Sequence, residues 1–208
     1  IAKSLEDKNK FEIIFDRDVF YYGNLKFYQK LILKNKKNII CFASIHKEEY
    51  EKVLKIIEYL NLNSIEQIIM IPRHVHFSSK LKSMIKDIYS NKIFIIEKFG
   101  ENNTAYENSK LTFMGGSLFE HGGQNPIEPL SKGCFVLSGQ YINNFSEIYK
   151  DLEDLSLAKV LKEKNNEEIG SAINKYIDME LNNEANIKDY FNLNIKQLSS
   201  IINKVEEC

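Results

Sequence analysis

Five short runs in this 208-residue sequence are apolar almost throughout, and segments with a different periodicity separate them. The runs are NIICFAS (38–44), EQIIMIPR (66–73), KIFIIEKF (92–99), KLTFMGG (110–116) and CFVLSG (134–139). Strands of this kind belong to a parallel sheet that is covered on both faces. After the first run, Val53, Leu54, Ile57 and Leu60 mark one face of a helix. The alternation predicts an α/β fold, a doubly wound parallel sheet with right-handed crossovers.

Other segments complete this prediction. Helices are expected in SSKLKSMIKDIY, around Tyr106, in NPIEPLSKG, and around Ile169. A last helix carries an apolar stripe made of Ile187, Phe191, Ile195, Leu198, Ile202 and Val205. Before the first buried strand, FEII (11–14) and VFYYG (19–23) suggest two short β-strands.

Composition removes several classes of function. The 28 basic and 29 acidic side chains give a formal charge of −1, which argues against a nucleic-acid partner. Cys41, Cys134 and Cys208 form no CxxC pair, so buried reduced thiols are expected rather than a disulfide framework or a zinc site. No segment reads as a membrane span or a signal peptide.

Unusual residues follow four of the predicted strands, where ligands bind in open α/β sheets. They are Ser44 and His46 after the first, Pro72 and Arg73 after the second, Phe99, Gly100 and Glu101 after the third, and Gly115 and Gly116 after the fourth. Because these strand ends lie along one edge of a parallel sheet, the pattern predicts a shared binding site.

The segment GGSLFEHGGQNPIEPLSKG (115–133) holds five of the nine glycines and two of the three prolines. Within it, Asn125-Pro126-Ile127-Glu128 fits a helix cap, with Asn as the cap and Glu reaching back to the cap N–H. The same geometry would also offer N–H groups to a phosphate and a carboxylate to a ribose diol. The pattern leaves both interpretations open. Neither a Walker loop nor GxGxxG is present.

Three other groups of residues have plain explanations. Arg73 suits a surface ion pair, or a phosphate if it lies at the ligand edge of the sheet. His46, His74 and His76 favour a polar pocket wall over a zinc site. Asp16-Arg17-Asp18 resembles a metal-binding DxD but favours a charged turn.

Taken together, these segments resemble the C-terminal half of the bacterial 3-deoxy-D-manno-octulosonic acid (Kdo) transferases. The matching segments are GNLKF (23–27), ASIH (43–46), PRH (72–74), FGE (99–101), GGSLFEHGGQNPIEP (115–129) and SGQYINNFSEI (138–148). The resemblance implies the Rossmann-like C-terminal lobe of a two-lobed GT-B glycosyltransferase. It divides the chain into a connector and the end of a missing N-terminal lobe (1–30), a CMP-sugar-binding lobe (31–160) and C-terminal helices (161–208). Since the first residue is Ile1, the chain is expected to be a piece of a longer protein.

The resemblance also implies roles for individual residues. The CMP moiety would be bound by Pro72, Arg73, Phe99, Gly100, Glu101, Asn125, Pro126, Ile127 and Glu128, with Ser44, His46, Gly115 and Gly116 as further candidates. Lys26 corresponds to a lysine that would stabilise charge in the transition state. The family's general base would lie in the missing lobe, so this chain is expected to bind donor but not to transfer sugar. No cofactor and no metal are expected.

The expected reaction is transfer of Kdo from a CMP-Kdo donor to a lipid A precursor acceptor. The resemblance places it at the cytoplasmic face of the bacterial inner membrane, with peripheral association through the missing lobe. Two alternatives stay open: a nucleotide-sugar-binding module without chemistry of its own, and a two-lobed enzyme that uses another nucleotide sugar. Tighter binding of UDP or GDP than of CMP would favour the latter.

Overall fold

Six parallel strands form the centre of the fold. The computed structural model describes residues 5–19, 24–86, 89–98, 100–163 and 165–206. Its strands are β1 (Lys37–Ile45), β2 (Gln67–Pro72), β3 (Ile93–Ile95), β4 (Ser109–Met114), β5 (Phe135–Ser138) and β6 (Ala158–Val160). Their order across the sheet is β3-β2-β1-β4-β5-β6, and every neighbouring pair is parallel. This confirms the predicted doubly wound α/β fold.

Helices cover both faces of the sheet. In chain order they are α1 (Leu5–Phe15), α2 (Tyr50–Ile57), α3 (Ser78–Met84), α4 (Asn102–Asn108), α5 (Ile127–Ser131), α6 (Ser146–Asp154), α7 (Asn166–Asp178) and α8 (Glu184–Glu206). Short 3-10 turns occur at Leu25–Tyr28, Lys47–Glu49, Val75–Phe77 and Asn143–Phe145. Within the described residues, no helix combines the length and the apolar character needed to span a membrane.

The central strand β1 shows why its sequence is apolar at consecutive positions. Cys41 and Ala43 contribute to a core that also contains Tyr106, whereas Ile40 and Phe42 point into a second core on the opposite face. Because both faces of a parallel sheet are covered by helices, neither set of alternate residues meets water.

The strand order reverses between β1 and β4, the two central neighbours. Chain connections leave this pair in opposite directions across the sheet, which creates a crevice outside the strand ends. Ala43 lies beside Met114 in the register, so the loops that follow these residues start next to each other. The candidate site is built from these loops.

Several predicted elements are wrong or incomplete. FEII (11–14) lies inside α1, not in a strand, and Ile13 there is 83 % exposed. The run at 92–99 contributes only Ile93–Ile95 to the sheet. The structure adds α6 and β6. The strand β6 has three residues, too few to show a recognisable hydrophobic pattern in the sequence. Of the second early strand, VFYYG (19–23), only Val19 belongs to the described residues, and it lies outside any strand.

The segment that carries Lys26 is fixed to the C-terminal helix. Phe27 is 2 % exposed and packs edge-on against the rings of Tyr190 and Phe191 in α8, with centroid distances of 5.3 and 5.2 Å. The turn itself is capped by Asn24, whose side-chain Oδ1 accepts a hydrogen bond from the Lys26 N–H at 3.0 Å. This packing holds the backbone of Lys26 in a defined place.

Candidate functional site at the carboxyl ends of β1 and β4

The last residues of β1 and the loop after β4 are in direct backbone contact. A Cβ atom at Gly115 would lie 2.6 Å from the carbonyl oxygen of Ser44 and 2.7 Å from Cα of Ile45. Such distances are closer than real Cβ contacts, so only glycine allows this approach. Ser44 itself has a φ of 55°, a conformation that non-glycine residues adopt uncommonly and that is often found at functional sites. Two of the predicted strand ends are therefore joined.

The glycine-rich segment folds back on itself. The N–H of Gly123 donates to the carbonyl of Gly116 at 2.7 Å, which closes a loop over residues 116–123. Both residues have positive φ, 67° for Gly116 and 78° for Gly123, so the closure depends on glycine at these positions. This explains why the sequence concentrates glycines here.

A buried carboxylate holds the loop from below. Glu49 is fully buried, and its two carboxylate oxygens accept hydrogen bonds from the backbone N–H groups of His46, Gly116, Ser117 and Leu118, at 2.7 to 3.1 Å. No motif in the sequence singles out Glu49. Glu48 and Glu49 are adjacent and identical in type, and only the structure shows that the second points inward.

His46 lies on top of the closed loop. Its Nε2 is 3.3 Å from the Gln124 amide nitrogen, and its ring stacks on that of His121 with centroids 4.3 Å apart. Burial, followed by the neighbouring His121 ring, lowers the pKa of His46 below its ordinary value, and Arg73 acts in the same direction. Glu49 and Glu48 oppose this shift. These contacts join His46 to the glycine-rich segment through Gln124 and His121.

His46, Glu48 and His121 have ligand atoms within 4.8 Å of one another, a group that could be considered for a metal. The two imidazole planes, however, are only 14° apart and stacked face to face. Imidazole lone pairs lie in the ring plane, so stacked rings do not aim them at a common point about 2 Å from each nitrogen. The arrangement suits a stacked histidine pair. His74 and His76 stand apart, after β2.

Pro72 and Arg73 follow the neighbouring strand. Pro72 is the buried last residue of β2. Arg73 donates its backbone N–H to the carbonyl of Ile45 at 2.8 Å, while its side chain is exposed. Because Ile45 precedes His46, this backbone bond places Arg73 and His46 at the same edge of the sheet. The site therefore includes one exposed cation beside the β1–β4 crevice.

The segment 125–128 combines a local side-chain hydrogen bond with a separate ion pair. Asn125 Oδ1 accepts a hydrogen bond from the N–H of Ile127 at 2.9 Å, but Asn125 lies one position before the cap of α5, which is Pro126, so the prediction that Asn125 is the cap residue is wrong. Glu128 does not serve the cap in this structure: its carboxylate pairs with the ammonium group of Lys26. Pro126 and Ile127 are buried. Because α5 has only five residues, the predicted contribution of a helix dipole is small, and individual N–H groups and Lys26 are the relevant donors.

The third strand end is less closely connected. Phe99 lies outside the described residues. Gly100 has a φ of 91° and is exposed. Glu101 lines a groove of about 490 Å³ together with Ile39 and Gln67. Backbone contacts join the first strand end to the second and to the fourth. Among the described residues, no hydrogen bond or ion pair links Glu101 to Arg73 or Glu128.

The fold defines a class: a Rossmann-like α/β lobe of the kind found in GT-B proteins. Two solved structures support the fold. The C-terminal CMP-Kdo binding domain of WaaA from Acinetobacter baumannii matches with a TM-score of 0.57 at 23 % identity, over 79 % of this chain and 90 % of that domain. TarM from S. aureus, solved with UDP, gives 0.62 at 15 % identity over 98 % of this chain and 42 % of TarM.

Comparison with curated sequences finds similarity to the Kdo transferases. The 3-deoxy-D-manno-octulosonic acid transferase of Rickettsia prowazekii is 27 % identical over 217 residues, which is 91 % of this chain and 46 % of that protein. The corresponding enzyme of Aquifex aeolicus is 28 % identical over 165 residues, 74 % of this chain and 47 % of the enzyme. No protein-family model matches the chain. The resemblance to the Kdo transferases is thus confirmed, and the chain spans about half the length of these relatives.

Proposed function

We propose that this chain supplies the donor-binding lobe of a glycosyltransferase that transfers Kdo from CMP-Kdo to a lipid A precursor. The observation that carries the proposal is the backbone contact of Ser44 with Gly115 at the switch point of the sheet, where ligands bind in open α/β folds. It lies in a chain that is similar to Kdo transferases over 91 % of its length. Arg73 provides a cation beside this crevice, as an anionic nucleotide requires.

Charge considerations support the proposed roles. When the bond between the sugar carbon and the phosphate oxygen breaks, negative charge grows on the CMP phosphate and positive charge on the sugar. Fixed cations and N–H groups stabilise the leaving phosphate. We assign Pro72 and Arg73 to contacts with CMP, and Lys26 to stabilisation of the transition state. Its ion pair with Glu128 keeps the ammonium group at the segment 125–128.

Two further segments would complete the nucleotide-binding site. Asn125 to Glu128 would hold phosphate and ribose, with the half-exposed Glu128 carboxylate accepting from the ribose diol. Gly100 and Glu101, with Phe99, would line the nucleotide from the third strand end. Ser44, His46, Gly115 and Gly116 would form the floor and wall of the crevice.

The proposal assigns the remaining chemistry to a second lobe. The acceptor hydroxyl needs a general base, which the resemblance places in an N-terminal lobe, together with acceptor binding and peripheral attachment to the cytoplasmic face of the inner membrane. Residues 1–30 would connect the lobes, 31–160 would bind donor and 161–208 would add C-terminal helices. The reaction proposed here uses neither a cofactor nor a metal ion.

Calorimetric titration of this chain with CMP, UDP and GDP tests the proposal. CMP should bind most tightly, and Arg73→Ala should weaken CMP binding while the melting temperature stays close to that of the unchanged chain. Tighter binding of UDP would refute the Kdo assignment and favour another nucleotide sugar. In a two-lobed protein that contains this chain, Lys26→Ala should reduce CMP release with a lipid A precursor more than it reduces donor affinity.

A further inference from the structure

The most unusual group outside the proposed donor contacts is the Glu49 carboxylate. It is 0 % exposed, yet no basic side chain forms an ion pair with it among the described residues. Burying a carboxylate is costly unless hydrogen bonds compensate. Here the compensation comes entirely from the four backbone N–H groups described above.

The donors have a characteristic arrangement. Three of them belong to the consecutive residues Gly116, Ser117 and Leu118, directly after β4, and they converge on two oxygen atoms. Successive N–H groups that point at one spot form an anion-binding nest, which many proteins use to hold phosphate. In this chain the nest is occupied from within.

The fourth donor links the nest to the other half of the crevice. The same oxygen, Oε2, accepts from the N–H of His46 at 2.9 Å and from that of Gly116 at 2.7 Å. One carboxylate therefore fixes the loop after β1 to the loop after β4. The two meet where the Gly115 backbone touches Ser44.

We propose that Glu49 is a positioning residue: it fills the anion nest at residues 116–118, fixes the geometry of the crevice, and excludes the donor phosphate from the nest. The inference rests on the proposed function for its effect on donor binding. The donor phosphate would then bind above the loop, among His46, Arg73 and the segment 125–128, rather than in the glycine turn.

The substitutions Glu49→Gln and Glu49→Ala test this. Gln keeps the side-chain volume but replaces one carboxylate oxygen by an NH₂ group. That group cannot accept hydrogen bonds, so two of the four backbone N–H donors lose their acceptor. CMP affinity should fall by about tenfold or more, the equivalent of one charge-assisted hydrogen bond. The matched control is Glu51→Gln, two residues further on and 72 % exposed, where CMP affinity should not change. An unchanged affinity in a folded Glu49→Gln variant would overturn the positioning role.

Hydrogen exchange followed by NMR gives a readout that does not depend on CMP. The amides of Gly116, Ser117 and Leu118 should be protected in the unchanged chain and exchange faster in the Glu49 variants. In Glu49→Ala, added formate should bind in the nest in place of the missing carboxylate. It should restore both the protection of these amides from exchange and the affinity for CMP. Fast exchange in the unchanged chain would refute the proposal even if no variant folds. A third result separates the two proposals. If CMP does not bind the unchanged chain, but its amides are protected and formate restores protection in Glu49→Ala, then the donor assignment is wrong while the role of Glu49 in the nest stands.

Discussion

Asn125 and Glu128 separate the two interpretations of the segment 125–128. The local side-chain hydrogen bond of this segment belongs to Asn125, whose Oδ1 accepts from Ile127 N–H at 2.9 Å one position before the cap residue Pro126. Loss of such a hydrogen bond costs about 1 kcal/mol, so Asn125→Ala should lower the melting temperature by roughly 2–4 °C in a chain of this size.

Glu128→Ala should behave differently. Its side chain is 37 % exposed and its partner Lys26 is 45 % exposed, and ion pairs of this kind contribute about 0–1 kcal/mol. If Glu128 accepts hydrogen bonds from the ribose diol, its loss removes about 1.5–3 kcal/mol of binding energy. That corresponds to a roughly ten- to hundredfold weaker affinity for CMP.

Thermal unfolding and calorimetric titration of the two variants check both halves of the prediction. Glu128→Gln serves as the matched control, because it keeps the volume and one acceptor oxygen and should bind CMP with intermediate affinity. If Glu128→Ala lowers the free energy of unfolding by about 1 kcal/mol, as the loss of a helix cap does, while CMP affinity stays the same, then Glu128 does not bind the ribose.

Three further predictions concern packing, protonation and thiol reactivity. Gly115→Ala should cost about 1–3 kcal/mol, because its methyl group would lie 2.6 Å from the Ser44 carbonyl oxygen, and a melting temperature equal to that of the unchanged chain would contradict the close approach. The depressed pKa of His46 means that the unfolded chain binds a proton more readily than the folded one. Stability should therefore decrease as the pH falls below about 6.5 towards the folded pKa, and thermal melts of His46→Gln should show a smaller decrease. Cys41 and Cys134 are buried and their thiol pKa values are raised by burial, so in a Cys208→Ser variant a thiol reagent at pH 8 should label them only upon unfolding; rapid labelling of the native protein would contradict this.

The sequence predicts five of the six strands because the signal of a strand covered on both faces is physical and local. Strands covered on both faces must be apolar at every position, and the runs around Cys41, Met70 and Phe113 satisfy this requirement. The same periodicity failed at FEII (11–14), where β-branched and aromatic residues form a largely exposed turn of helix. Local preference is too weak to decide such a segment without its tertiary surroundings.

The candidate site was predictable at its edge but not in its support. Glycine and proline mark where the backbone must turn, and strand ends mark where ligands bind, which together identify Ser44, Arg73 and Gly115. The burial of Glu49 depends on the turn before α2 packing beneath a loop that lies 67 residues away in sequence. The pairing of Lys26 with Glu128 spans 102 residues. Neither contact has a signature in the spacing of residues.

The most direct test of the account is to map CMP onto this chain by backbone amide chemical shifts. We predict that CMP shifts the amides of residues 44–46, 72–74 and 115–128 together, with half-saturation at one common concentration, and that Arg73→Ala weakens all of these shifts in parallel. Shifts confined to another surface, or no saturable shift at these strand ends, would contradict the claim that they form one site for the nucleotide.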